Sequence, residues 1–130
     1  MNHLVKFESL SNKKVIFNMY ICDHDSDDWV ECNKVLEDVK KMLPTSIPIS
    51  KGHSTGLSIQ VLLDTDIFEA EKISNKILDK FTNLPLIVIS EVEVNFKNKP
   101  IGEYLDRSLI GAGRYFDTLL KSNKRGLFIC

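Results

Sequence analysis

The densest run of like charge in the sequence is the first candidate for chemistry. Four carboxylates fall within the six residues from Asp23 to Asp28, between a strand-like and a helix-like segment. Glu31 continues this charge, and we call residues 23–31 the acidic segment. Carboxylates at such spacing can ligate a divalent cation, attract a basic partner or stabilise the start of a helix.

A calcium loop does not fit the acidic segment. Asp23, Asp25 and Asp27 match positions 1, 3 and 5 of an EF-hand loop. Position 6 requires Gly and position 12 a bidentate Glu, where this chain has Asp28 and Lys34. A magnesium site would need fewer carboxylates, but no glycine-rich phosphate loop accompanies them. We therefore expect no metal ion and no cofactor.

The other reactive residues give weaker patterns. No common zinc motif fits the spacing of the thiols and imidazoles near the segment. These residues are Cys22, His24, Cys32 and His53. Residues 52–56 satisfy the Gly-x-Ser-x-Gly pattern of a hydrolase, but they lead into a strand instead of a helix. Since no catalytic dyad or triad stands out, we expect no catalytic residues and a protein that is not an enzyme.

Two interpretations of the acidic segment stay open. As a helix start, Ser26 is a good N-cap, and carboxylates suit the positive end of the helix dipole. As a recognition surface, clustered carboxylates steer a basic partner, and Trp29 supplies either an apolar anchor or a core residue. The predicted partner-binding residues are Asp23, His24, Asp25, Asp27, Asp28, Trp29 and Glu31.

Composition excludes several classes of protein. The chain is 43% apolar and 27% charged, as in ordinary globular proteins, and its net charge of −1 argues against a nucleic-acid binder. No apolar stretch approaches the ~18 residues that span a membrane, and residues 1–6 do not resemble a signal peptide. Three cysteines without a Cys-x-x-Cys pair favour a reducing compartment. We expect a cytoplasmic protein with one domain, residues 1–130.

Hydrophobic periodicity predicts the elements that position the acidic segment. In order, these are strands over 4–7 and 15–22, a helix over 27–43, a strand over 57–63, a helix over 66–82, a strand over 86–96, a helix over 101–122 and a strand over 127–129. Asp66 and Glu69 resemble a capping box. Residues 44–56 predict an irregular loop, and Gly111 and Gly113 predict a kink, a break or close packing in the last helix.

This order predicts an α+β, ferredoxin-like fold, with a mostly antiparallel sheet and helices packed on one face. The alternative is a small three-layer α/β fold. The favoured function is that of a small protein-binding protein, such as an immunity protein or inhibitor that neutralises a bacterial toxin. One alternative is a ferredoxin-like regulatory domain that binds a ligand under loop 44–56 and could form a homodimer. The other is a metal-dependent phosphohydrolase that uses Asp23, Asp25 and Asp28.

Overall fold

A computed structural model describes residues 13–23, 27, 29–48, 56–81, 85–93 and 101–130. The described residues form five strands and three helices. The strands are β1 (Lys13–Asp23), β2 (Ser46–Pro48), β3 (Gly56–Leu63), β4 (Leu86–Glu93) and β5 (Gly126–Ile129). The helices are α1 (Trp29–Met42), α2 (Ile67–Leu78) and α3 (Ile101–Lys121). The strand predicted over 4–7 and the end of the strand predicted over 86–96 lie outside the described residues.

The strands form one sheet with the order β2-β3-β1-β4-β5. β1 pairs antiparallel with both β3 and β4, β2 pairs antiparallel with β3, and β5 pairs parallel with β4. The predicted α+β class and the mostly antiparallel sheet are confirmed. From β1 through α1 to β2 the chain has a split β-α-β connectivity, because β3 lies between these two strands in the sheet. The ferredoxin-like assignment of the whole chain stays a prediction.

The central strand β1 is buried on both faces. Val15, Phe17 and Met19 point to one face, and Ile16, Asn18 and Tyr20 point to the other, because side chains alternate along a strand. Leu86 to Ile89 of β4 are likewise buried on both faces. A strand pair of this kind needs an apolar layer on each side of the sheet.

The helices supply these two layers. α1 and α2 cover the face of Phe17, and α3 covers the face of Tyr20. The residues buried in the first layer include Val15, Phe17, Met19, Leu36, Val39, Ile59, Leu63, Ala70, Ile77, Ile87 and Ile89. In the second layer Phe116 packs with Tyr20, Leu86 and Val88. The expectation that all helices lie on one face is therefore corrected, since α3 lies on the opposite face from α1 and α2.

Two further details differ from the sequence-based expectation. The loop predicted over 44–56 contains β2, a three-residue strand whose last residue is Pro48. The last helix is not broken at its glycines, because α3 runs without interruption from Ile101 to Lys121. Close packing at these glycines is also absent, since no atom of the described residues lies within 4 Å of a Cβ placed at Gly111 or Gly113.

Candidate functional site

The acidic segment begins at the end of the central strand and ends in the first turn of α1. Asp23 is the last residue of β1 and pairs in register with Gly56 of β3. Asp27 lies exposed in a turn before α1, and Glu31 is exposed in its first turn. The predicted partner-binding residues His24, Asp25 and Asp28 lie outside the described residues, as does the predicted N-cap Ser26.

An irregularity in β1 lies directly before the acidic segment. Tyr20 pairs with Ser58 and Cys22 pairs with Leu57, so Ile21 has no partner in β3. An extra residue of this kind, a β-bulge, bends a strand and increases its twist. The bulge therefore bends β1 directly before its last two residues, Cys22 and Asp23. No Gly or Pro marks this position in the sequence, so sequence patterns gave no indication of it.

The sequence left two positions open for Trp29, in the core or as an exposed apolar side chain. In the structure Trp29 has the first position, and its neighbour Val30 has the second. Trp29 is half-buried and packs against the core cluster of Leu36 and Val39, together with Cys32. Val30 is 66% exposed and is the large apolar side chain that α1 presents to solvent. Sequence reasoning passed over Val30 because it does not fall on the apolar stripe of α1. Its position off that stripe is itself the signal that could have identified it.

Two carboxylates, Asp27 and Glu31, flank Val30 in the sequence, and the exposed Lys34 follows one helical turn after it. Asp27 and Glu31 are exposed, and neither forms an ion pair or a side-chain hydrogen bond within the part of the chain that the structure describes. Further along α1, Lys40 Nζ lies 3.3 Å from Glu37 Oε2, so the charge of Glu37 is partly compensated. Within the described part of the chain, the start of α1 thus combines an exposed apolar side chain with two carboxylates that form no ion pair.

The start of α2 provides a comparison. Asp66 is its N-cap, and its Oδ1 accepts a hydrogen bond from the backbone N–H of Glu69 at 2.8 Å. Phe68 in the same turn is 74% exposed. Here the Asp66 carboxylate satisfies a backbone donor of the helix, as in one half of the predicted capping box. An exposed apolar side chain and carboxylates therefore occur at two helix starts, which makes α2 a natural control for α1.

The described residues contain no group of three or more His, Cys, Asp or Glu side chains that could hold a metal ion. His24, Asp25 and Asp28 lie outside the described residues, so the prediction of no metal stays a prediction. All three cysteines are thiols and not disulfides. No helix among the described residues is both long enough and apolar enough to cross a membrane.

No protein-family model, curated protein sequence or solved structure matches this chain in our comparisons.

Proposed function

We propose that the chain is a small cytoplasmic protein-binding domain that contacts a basic protein through the start of α1. The observation that carries this proposal is Val30, which is 66% exposed beside Asp27 and Glu31, two exposed carboxylates without an ion pair among the described residues. We call these three residues the α1 surface. An apolar centre with a charged rim is the usual anatomy of a protein–protein interface.

The support beneath the α1 surface favours binding over a loose, solvated helix start. Trp29 precedes Val30 and packs against the core, which holds the first turn of α1 in place. A surface that is already ordered loses little conformational entropy when a partner binds. The carboxylates raise the association rate with a positively charged partner, since complementary charge steers the encounter.

The concrete form of the proposal is an immunity protein or inhibitor that neutralises a bacterial toxin. Toxin enzymes that act on nucleic acids need basic surfaces for phosphate groups, and an acidic surface can cover them. The proposal assigns no catalysis, no cofactor, no nucleic acid and no membrane to this chain. His24, Asp25 and Asp28 would extend the α1 surface, together with Asp23 at the end of β1.

A binding experiment with charge reversal tests this proposal. The whole chain is mixed with a basic toxin domain encoded beside its gene, and association and dissociation rates are measured at low and high salt. We expect the double variant Asp27→Lys, Glu31→Lys to slow association by about tenfold or more at low salt. We expect Val30→Ser to speed dissociation, because the apolar centre of the contact is lost.

The start of α2 supplies the matched control. Phe68→Ser and Glu69→Lys make the same kinds of change at an exposed helix start that the proposal does not use. These variants should leave both rates unchanged. Equal changes in the rates of the α1 and α2 variants would show a general effect of charge. Unchanged rates for the α1 variants would show that the α1 surface does not bind the partner.

A further inference from the structure

Asn18 lies in the middle of β1 with its side chain 1% exposed. Neither Nδ2 nor Oδ1 of its carboxamide has a hydrogen-bond partner in the part of the chain that the structure describes. Its direct neighbours in the sheet are Gln60 of β3 and Val88 of β4. A buried donor or acceptor without a partner is destabilising, and native proteins contain few of them. The presence of both on one side chain needs a physical explanation.

Neither strand preference nor the stability of the sheet explains an asparagine at this position. Central strands buried on both faces favour β-branched and aromatic residues, and Asn is depleted from strands. Ile16 and Tyr20, the neighbours of Asn18 on the same face of β1, follow this preference. An apolar side chain at position 18 would avoid the two unsatisfied polar atoms. Asn18 is therefore better explained by a group that it binds than by the stability of the sheet.

Asn18 has buried residues on the β4 side of its face and two partly exposed residues, Ser58 and Gln60, on the β3 side, where Leu62 is also buried. On the β4 side, α3 covers the sheet through Phe116, which packs with Tyr20 and Val88. On the β3 side, Ser58 and Gln60 point to the same face, because they pair directly with Tyr20 and Asn18. Both are half-exposed, whereas Asn18 is buried. Gln60 is thus a partly exposed residue directly beside the buried Asn18 on this face.

We propose that Asn18 anchors a binding site for a small neutral molecule on the α3 face of the sheet, at the boundary between β1 and β3. The carboxamide offers a donor and an acceptor in one plane, which matches an amide or a nucleobase edge with the same two groups. Ile16, the buried neighbour of Asn18 on this face of β1, lines the site with apolar surface, so the body of the molecule is apolar or aromatic. The molecule enters from the β3 side and displaces the side chain of Gln60. This site is independent of the α1 surface, which lies on the other face of the sheet.

Nuclear magnetic resonance of the whole ¹⁵N-labelled chain tests the site with defined probes. Benzamide and nicotinamide carry the required donor and acceptor on an aromatic ring, whereas acetophenone carries the acceptor alone. Each is titrated to roughly 10 mM, well above a dissociation constant of about 1 mM. We expect saturable shifts of the Asn18 Nδ2 resonances with the two amides and weaker shifts with acetophenone. The exposed side chains of Asn33 and Asn75 serve as references in the same spectrum and should not shift.

The variant Asn18→Val separates specific binding from general adsorption. It should unfold at the same or a higher temperature than the natural chain. Its affinity for benzamide should fall by about tenfold or more. The Gln60→Ala variant should bind benzamide at least as tightly as the natural chain, because the entrance is opened. If Asn18→Val does not fold, the titrations of the natural chain decide alone.

Three results would overturn the proposed site. The first is the absence of any saturable shift at Asn18 with both amides. The second is an undiminished response of a folded Asn18→Val variant. The third is a long-lived water molecule, detected by magnetisation transfer to the Asn18 amide protons and undisturbed by the probes, because such a water would satisfy the carboxamide by itself.

Discussion

Lys14 Nζ donates a hydrogen bond to Asp64 Oδ1 at 2.8 Å, which joins the start of β1 to the residue that follows β3. Lys14 is 7% exposed, whereas the side chain of Asp64 is 59% exposed. An ammonium group is costly to bury without a counter-charge, so the accessible carboxylate helps a lysine to lie within the sheet. The backbone N–H of Asp64 also donates to Thr45 O, directly before β2.

The substitution Asp64→Asn should lower the free energy of unfolding by about 1 to 2 kcal/mol, because a charged partner of the buried ammonium is replaced by a neutral one. Urea denaturation measures this change. Glu37→Gln removes the exposed ion pair with Lys40 and serves as the control, with an expected loss of about 0 to 0.5 kcal/mol. Equal losses in the free energy of unfolding would show that the ion pair of the buried Lys14 stabilises the chain no more than the exposed pair does.

The N-cap of α2 should contribute measurably to stability. Asp66→Ala leaves the backbone N–H of Glu69 without its 2.8 Å acceptor and should cost about 1 kcal/mol. Asp66→Asn keeps an acceptor oxygen at the same place and should cost much less. Thermal and urea unfolding of both variants test the cap. A similar loss for Ala and Asn would indicate that the charge of Asp66, and not its hydrogen bond, is what stabilises the helix.

Replacement of glycine by alanine should stabilise the chain at one position and destabilise it at another. Gly111 lies inside α3 with open space where the methyl group of an alanine would lie, so Gly111→Ala should stabilise the chain by about 0.5 to 1 kcal/mol. Gly126 at the start of β5 has φ of 103°, which a residue with a Cβ rarely adopts. Gly126→Ala should therefore destabilise the chain by about 1 kcal/mol or more. Thermal unfolding of the two variants measures both signs, and a stabilising effect at Gly126 would contradict the backbone conformation described for it.

Adjacent aromatic residues on α3 should differ strongly in their contribution to stability. Phe116 is buried against Tyr20, Leu86 and Val88, so Phe116→Ala should cost about 3 to 5 kcal/mol. Tyr115 is exposed, and Tyr115→Ala should change stability by roughly 0.5 kcal/mol or less. Equilibrium denaturation of the two variants checks whether α3 is fixed to the sheet through this face. Equal effects would place α3 differently from the arrangement described.

The alternation of apolar residues was enough to predict the main strands and the face that each presents. Phe17 and Met19 of β1, and Ile59 and Leu63 of β3, all lie in the core as expected. The three residues of β2 are too few to show a period, and Pro48 is typical of loops and sheet edges. Because β2 was missed, the antiparallel direction of β3 relative to β1 could not be derived. Periodicity also shows which side of α3 is apolar, but not which face of the sheet it covers.

The candidate site was predictable only in part, for a related reason. Acidic charge at the start of α1 was visible in the sequence, whereas the exposure of Val30 depends on how Trp29 and the rest of the stripe pack. No sequence pattern singled out Asn18, which alternates with Phe17 and Met19 along β1. It is buried because β1 is central and α3 lies on the second face. Burial of this kind depends on contacts between residues that are far apart in sequence.

The position of β1 at the centre of the sheet has a consequence for the synthesis of the chain. β1 is made before both of its neighbours, and Leu86, the first residue of β4, follows Asp23 by 63 residues. At roughly 5 to 20 residues per second, the ribosome needs about 3 to 13 s to reach the first residue of β4 after β1 is complete. During this interval Val15, Ile16 and Phe17 have no β4 to pair with, and the nascent strand is open to chaperones and to other unfolded chains. Slower elongation should therefore increase aggregation of this chain during translation.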